Sequence, residues 1–322
     1  MPHIVTIGEA LVEVMRTELD RPLNRPAPLV GPYPSGAPAI FCSAAARLGA
    51  STGFVGTVGQ DPFGDCITSR LTDDGVDIMG VRERQDLLTG IAFVAYASDG
   101  SRSFCFHMAQ AAASQVDWEQ IPDGYLDDVR YLHIMGSALS ASQSMRQACY
   151  RAAHYVNANG GTVTLDPNLR PELLPPDQIR AVCQPILDVA GIVLPSGEEL
   201  TALTGTATPE AGAEHLLANG IDLVALKRGA EGCTLYTAQE SVSIDAYQVQ
   251  EIDPTGAGDC FDAALIVALG EGWSLATAGL FANAVGGLAT TERGPMEGAP
   301  FRDAVLAFMA DQGRPLPGTE DR

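Results

Sequence analysis

Along most of the chain, short apolar runs alternate with longer stretches in which apolar residues recur every three or four positions. The runs at 3–8, 52–58, 130–135, 162–166, 191–194 and 222–226 read as strands. Helical spacing covers 38–48, 142–158, 177–188, 257–270, 274–292 and 300–312. This alternation predicts βαβ units and a parallel sheet. Two further helices are punctuated at both ends: Asp61-Pro62 opens one that Gly75 closes, and Thr208-Pro209-Glu210 opens another that Gly220 closes. Each has a capping residue, proline at the first helical position and a glycine stop. Two segments break the rhythm. Residues 9–36 are proline-rich with little helical pattern, and residues 90–108 read as a hairpin, Ile91–Tyr96 and Phe104–Phe106, turning at Asp99-Gly100. As strand-rich excursions from an α/β core, the two segments are expected to form a separate small sheet. No repeat, low-complexity tract or long linker interrupts the 322 residues, so the chain reads as one domain.

Composition narrows the classes. An apolar content of 46% with 18% charged residues supplies a core and excludes disorder. No run approaches the roughly 18 apolar residues of a membrane helix. The chain enters the apolar run Ile4-Val5-Thr6-Ile7 almost at once, too soon for a signal peptide with a basic leader, so a cytoplasmic location is expected. Seven cysteines stand singly with no Cys-x-x-Cys pair, and five histidines show no metal spacing; the thiols read as reduced core residues. A net charge of −21 repels nucleic acid and acidic membranes. It fits a soluble enzyme, and also a high-salt cytoplasm in which surface repulsion is screened. A single lysine, Lys227, stands among the 19 basic residues. Either a GC-rich genome has replaced the others, or a compact ammonium is needed beside a nucleotide, where a planar guanidinium does not substitute.

The most informative stretch is Asp253-Pro254-Thr255-Gly256-Ala257-Gly258-Asp259, followed by an apolar run at helical spacing. It reads as a glycine-rich turn feeding a helix N-terminus, where free amides and the helix dipole suit an anion. Asp259 serves either the first helical turn as a cap or, beside the anion, as a base that takes a proton from a hydroxyl. The second role points to phosphoryl transfer to an alcohol.

At its constrained positions this stretch resembles the C-terminal signature of the ribokinase/PfkB family of carbohydrate kinases. The resemblance implies a ribokinase-like three-layer α/β/α core, a mostly parallel sheet, and a small β-sheet lid from segments about 9–36 and 90–108. That lid would exclude water and serve as a homodimer contact. Asp259 would be the general base, and the amides of Gly256, Ala257 and Gly258 the anion hole. ATP and Mg2+ are the implied cofactors, with a monovalent cation such as K+ as a further expectation.

Other segments follow the family's order. Ser35-Gly36-Ala37-Pro38-Ala39-Ile40 is similar to its first signature: Gly36 matches a close approach to sugar, while Ser35 replaces a glycine and Ile40 an asparagine. The stretch also reads as a helix start with Pro38 in the first turn. Gly8-Glu9-Ala10-Leu11-Val12-Glu13 resembles the opening of ketose and ketodeoxy-sugar kinases, which places Glu13 on sugar hydroxyls. Val58-Gly59-Gln60-Asp61 also resembles the family, with Asp61 as a helix cap. Asp166-Pro167-Asn168-Leu169-Arg170 resembles the fructokinase and ketodeoxygluconate kinase branches, at the strand end where open α/β sheets bind ligands. It assigns Asn168 to the phosphate and magnesium region and Arg170 to substrate or transferred phosphate. Ser196 and Glu199 form a capping box; the resemblance adds Glu199 acting on magnesium through water. Gly229 and Gly232 beside Lys227 resemble the nucleotide loop, and Asn283 a position near adenine and ribose.

Ketodeoxygluconate kinases often carry an arginine after the second lid strand, where this chain has Met108. A neutral ketohexose, tagatose or fructose, is therefore expected to be phosphorylated on a primary hydroxyl, with 2-keto-3-deoxygluconate as the alternative. More distant are a nucleoside kinase, for which no aromatic base pocket is evident, and a non-catalytic sugar sensor, which would be expected to lose Asp259.

Overall fold

The computed structural model describes residues 1–316 apart from Pro171. Among the described residues thirteen strands are formed: β1 (Ile4–Ile7), β2 (Leu11–Arg16), β3 (Leu29–Ser35), β4 (Thr52–Gly59), β5 (Asp77–Arg84), β6 (Gly90–Tyr96), β7 (Arg102–His107), β8 (Tyr131–Met135), β9 (Thr162–Asp166), β10 (Ala190–Val193), β11 (Leu223–Lys227), β12 (Cys233–Tyr236) and β13 (Ser241–Ile244). Nine of them make one sheet, in the order β13-β12-β11-β10-β9-β8-β1-β4-β5. From β11 to β5 the pairs are parallel, and β12 and β13 add an antiparallel edge. β1 and β4 are buried along their whole length, as strands covered on both faces must be.

Two apolar cores flank this sheet. On one face lie the helices Ala37–Arg47, Pro62–Asp73, Ala257–Gly270, Leu275–Ala289 and Arg302–Asp311. On the other lie Gln143–Ala158, Pro176–Leu187, Gly197–Thr204 and Pro209–Ala218. The three-layer α/β/α expectation holds. The capping signals work as read. Asp61 accepts from the amides of Phe63 and Gly64 at 3.1 and 2.9 Å. Asp61 does more than cap, because it also accepts from the amide and hydroxyl of Thr89 at 2.8 Å each, anchoring the approach to β6.

The small sheet has the order β3-β2-β6-β7 and draws its strands from the two expected segments. Its hairpin turn closes with the Ala97 amide on the Ser101 carbonyl, and Gly100 takes φ 84°, which glycine adopts without strain. Among the described residues, no helix is long and apolar enough to cross a membrane.

Candidate active site

The carboxyl ends of the parallel strands, the turn before Ala257 and the inner face of the small sheet enclose a cavity of about 580 Å³. Every candidate site residue lines it: Glu13, Gly36, Asn168, Arg170, Glu199, Lys227, Gly229, Gly232, Gly256, Ala257, Gly258, Asp259 and Asn283. Residues more than 240 positions apart in the chain thus meet in one space.

The turn is held by one buried carboxylate. Asp253 accepts from the amides of Thr255 and Gly294, both at 3.0 Å. Gly256 then takes φ 84°, and a Cβ there would collide with the Pro295 carbonyl oxygen and press on Ile40. Only glycine makes this turn. Ile40, the departure from the family pattern, therefore supports the back of the loop. No side chain caps the helix that follows, although Ala257 turns its amide toward the Pro254 carbonyl at 3.4 Å. An uncapped N-terminus lined by small residues suits an anion.

Asp259, in the first turn of that helix, is 7% exposed. Burial, and then the charge of Asp166, push its carboxyl up to about 7 against the pull of Arg170 and Lys227. A carboxyl poised near neutrality is what a general base for an alcohol requires.

Lys227, at the end of β11, donates to Asp166 at 3.0 Å and to both oxygens of Asp262 at 3.0 and 3.1 Å. Its ammonium ties β9 and β11 to the helix Ala257–Gly270. Burial opposes that charge, but the two carboxylates outweigh it and raise the ammonium above its ordinary value. Burial likewise opposes the charge of Asp166, and Lys227 holds it below the usual range. Lys227 thus lines the cavity with its charge already engaged.

Beyond β9, Asn168 adopts φ 38°, and its amide donates to Asp166 at 3.0 Å. Its side-chain Oδ1 is buried without a partner. Glu199 accepts from the amides of Leu169 and Ser196 at 3.0 and 2.8 Å, so the capping box is formed. Arg170 donates to the Leu169 carbonyl at 3.0 Å.

At the opposite wall, Gly229 and Gly232 have φ 55° and 95°, and Asn283 donates to the carbonyls of Ile244 and Asp245 at 3.0 and 3.3 Å. The Asn283 amide group holds the end of β13 in place.

The end under the small sheet holds Glu9, Glu13, Ser35 and Gly36. Ser35, where the family pattern has glycine, donates to Glu13 at 2.6 Å. Burial pushes both Glu9 and Glu13 up to about 7, with the Ser35 hydroxyl and nearby arginines pulling Glu13 back. Glu9 Oε2 and Glu13 Oε2 are buried without partners, and the Ser137 hydroxyl pulls the Glu9 carboxyl part of the way back. Unmet acceptors of this kind suit a polyhydroxylated ligand. Met108 lines the cavity at the position expected for arginine, but β7 contributes Arg102 instead. Sequence reading missed Arg102, Glu9 and Ser137. Glu9 lay in view beside Gly8, whereas Arg102 gave no signal before the hairpin register was known.

No cluster of three or more His, Cys, Asp or Glu side chains able to hold a metal occurs among the described residues. Glu199 and Asn168 line the cavity with side-chain oxygens that would suit a hydrated magnesium ion brought with a nucleotide. When bound, it would neutralise phosphate charge.

With three cavity carboxyls near 7, the acid limb of a pH–rate profile belongs to the set. Because a base works only when deprotonated, kcat/KM should fall as pH drops through about 7. Initial rates from pH 5 to 9 measure this. A flat profile down to pH 5 would contradict it.

A buried carboxyl beside an uncapped helix N-terminus, at the carboxyl edge of a parallel sheet, is an arrangement that suits phosphoryl transfer to an alcohol. The chain belongs to the pfkB family of carbohydrate kinases, whose family description matches residues 1–302. It is 31% identical over 318 residues to "Probable fructokinase-3" of Arabidopsis thaliana, covering 96% of this chain and 92% of that one. It is also 31% identical over 283 residues to the 2-dehydro-3-deoxygluconokinase of Bacillus subtilis, covering 86% and 87%. The structure of a putative ribokinase II from E. coli, in complex with ATP and Mg2+, superposes with a TM-score of 0.91. That protein is 40% identical, and the match covers 97% of this chain and 100% of that one.

Proposed function

We propose that this carbohydrate kinase transfers the γ-phosphoryl group of ATP to a primary hydroxyl of a neutral ketohexose, tagatose or fructose. The observation that carries the reading is Asp259, a buried carboxyl near neutrality in one cavity with the uncapped turn Gly256–Gly258. In this scheme Asp259 takes the hydroxyl proton while the oxygen attacks phosphorus. The amides of the turn balance the charge gathered on the transferring group. Glu13, Gly36 and Arg170 hold the sugar. Asn168, Lys227, Gly229, Gly232 and Asn283 border the nucleotide, with Lys227 fixed in place by Asp166 and Asp262. Glu199 acts on magnesium through water. Use of a monovalent cation such as K+, a homodimer contact through the small sheet, and a cytoplasmic location complete the reading. The small sheet acts as a lid that keeps water from the transferring phosphate.

The free carboxyl oxygens of Glu9 and Glu13 favour hydroxyl donors over an acidic substrate. Arg102 and Arg170 favour the second reading, a ketodeoxy sugar acid, because a carboxylate needs positioned cations. Measuring kcat/KM for tagatose, fructose and 2-keto-3-deoxygluconate decides between them. A neutral ketohexose is expected to lead by roughly ten- to hundredfold, the worth of one charge-assisted contact. Preference for the acid would overturn the substrate claim and leave the kinase standing.

A further inference from the structure

The small sheet touches the phosphate-binding turn through two side chains. Tyr96 is the last residue of β6 and Arg102 the first of β7, so they flank the hairpin turn. The Tyr96 hydroxyl lies 3.1 Å from each oxygen of Asp253 and 3.3 Å from Thr255 Oγ1. Arg102 Nη1 donates to Thr255 Oγ1 at 3.1 Å. Among the described residues, no other side-chain hydrogen bond joins β6 or β7 to residues 253–256. The acceptor is the Asp253 carboxylate, 2% exposed, which also gathers the amides of Thr255 and Gly294. Gly294 leads into Pro295, whose carbonyl backs Gly256.

We propose that Tyr96 and Arg102 are positioning residues that tie the small sheet to the phosphate-binding turn, so that the sheet stays closed over the cavity while the turn holds the transferring phosphate. Thr255 directly precedes Gly256. A hydroxyl or guanidinium that moves with the sheet therefore acts one residue from the anion hole. Burial raises the Tyr96 phenol above its ordinary value, so it remains a donor throughout the working pH range. With the tie intact, the P–O bond to ADP breaks as the bond to the sugar oxygen forms. With the tie cut, the turn binds phosphate while the cavity stands open, and a water oxygen takes the place of the sugar. ADP and inorganic phosphate are then released in place of ADP and sugar phosphate.

This inference rests on the sugar-kinase reading, and the test separates the two. The full-length wild type and the Tyr96→Phe, Thr255→Val and double variants are assayed with ATP, Mg2+ and the preferred ketohexose. ADP, sugar phosphate and inorganic phosphate are each counted, with Tm recorded alongside. The wild type is expected to release about one ADP per sugar phosphate. Tyr96→Phe should lower kcat roughly tenfold, the worth of one hydrogen bond to a charged acceptor, and divert part of the ADP to inorganic phosphate. The double variant should cost less than the product of the two single effects, because the tie can be cut only once. Wild-type kcat and ratio in Tyr96→Phe would overturn the inference. So would a loss that follows only a fall in Tm while the product ratio stays at one. A wild type that phosphorylates no sugar would overturn the underlying kinase reading, and this inference with it.

Discussion

Asp259→Asn is expected to lower kcat by ~10²–10⁴ while leaving ATP affinity nearly unchanged, because it removes a proton acceptor and keeps the volume. The side chain is buried at the first turn of Ala257–Gly270, and its burial already favours an uncharged group. The neutral amide therefore fits the site without strain. Steady-state rates with saturating sugar, paired with calorimetric ATP titration, read the two effects separately. Turnover near that of the wild type would remove Asp259 from the proton-transfer step.

Gly256→Val should be the second severe variant. Its backbone has φ 84°, and any Cβ collides with the Pro295 carbonyl, so the turn must shift and the amides lose their aim. Loss of a preorganised donor set of this kind costs about 10²–10³ in kcat. Gly258 is different: a Cβ there makes only ordinary contact with the Lys227 ammonium, 3.7 Å away. Gly258→Ala should therefore fold normally and hinder phosphate directly, raising the KM for ATP more than it lowers Tm. Thermal melts and ATP kinetics on both variants check this contrast. Full activity in Gly256→Val would mean that the loop merely starts a helix.

Much of the fold was readable because strands buried on both faces leave short, mostly apolar runs in which Asp or Lys appears only at the last position, as at β1, β4, β8, β9 and β11. β5 escaped notice: it is an edge strand of mixed burial ending in Arg82-Glu83-Arg84. β12 and β13 have four residues each, too few for a period to emerge. The short helix Gly136–Ala141 joins directly to β8 and has no side-chain cap to announce it.

The site was legible wherever a motif is local, as in the turn at Gly256, and illegible wherever it is made by distant partners. Lys227 illustrates the limit. Its isolation in the composition posed a question, but its carboxylate partners lie 61 and 35 residues away. A compact ammonium suits two converging carboxylates better than a planar fork, which gives a physical reason for lysine here. Ser35 is similar. It looked like a damaged signature until the structure paired it with Glu13. The contact of Tyr96 with Asp253 spans 157 residues and had no counterpart in local pattern.

The most direct test of the central claim is phosphorus NMR of the products formed from ATP, Mg2+ and fructose or tagatose. The wild type should yield ADP and a new phosphomonoester signal coupled to a methylene group, and Asp259→Asn should yield almost none. Formation of ADP and inorganic phosphate alone, or an equal phosphomonoester yield from Asp259→Asn, would contradict the account.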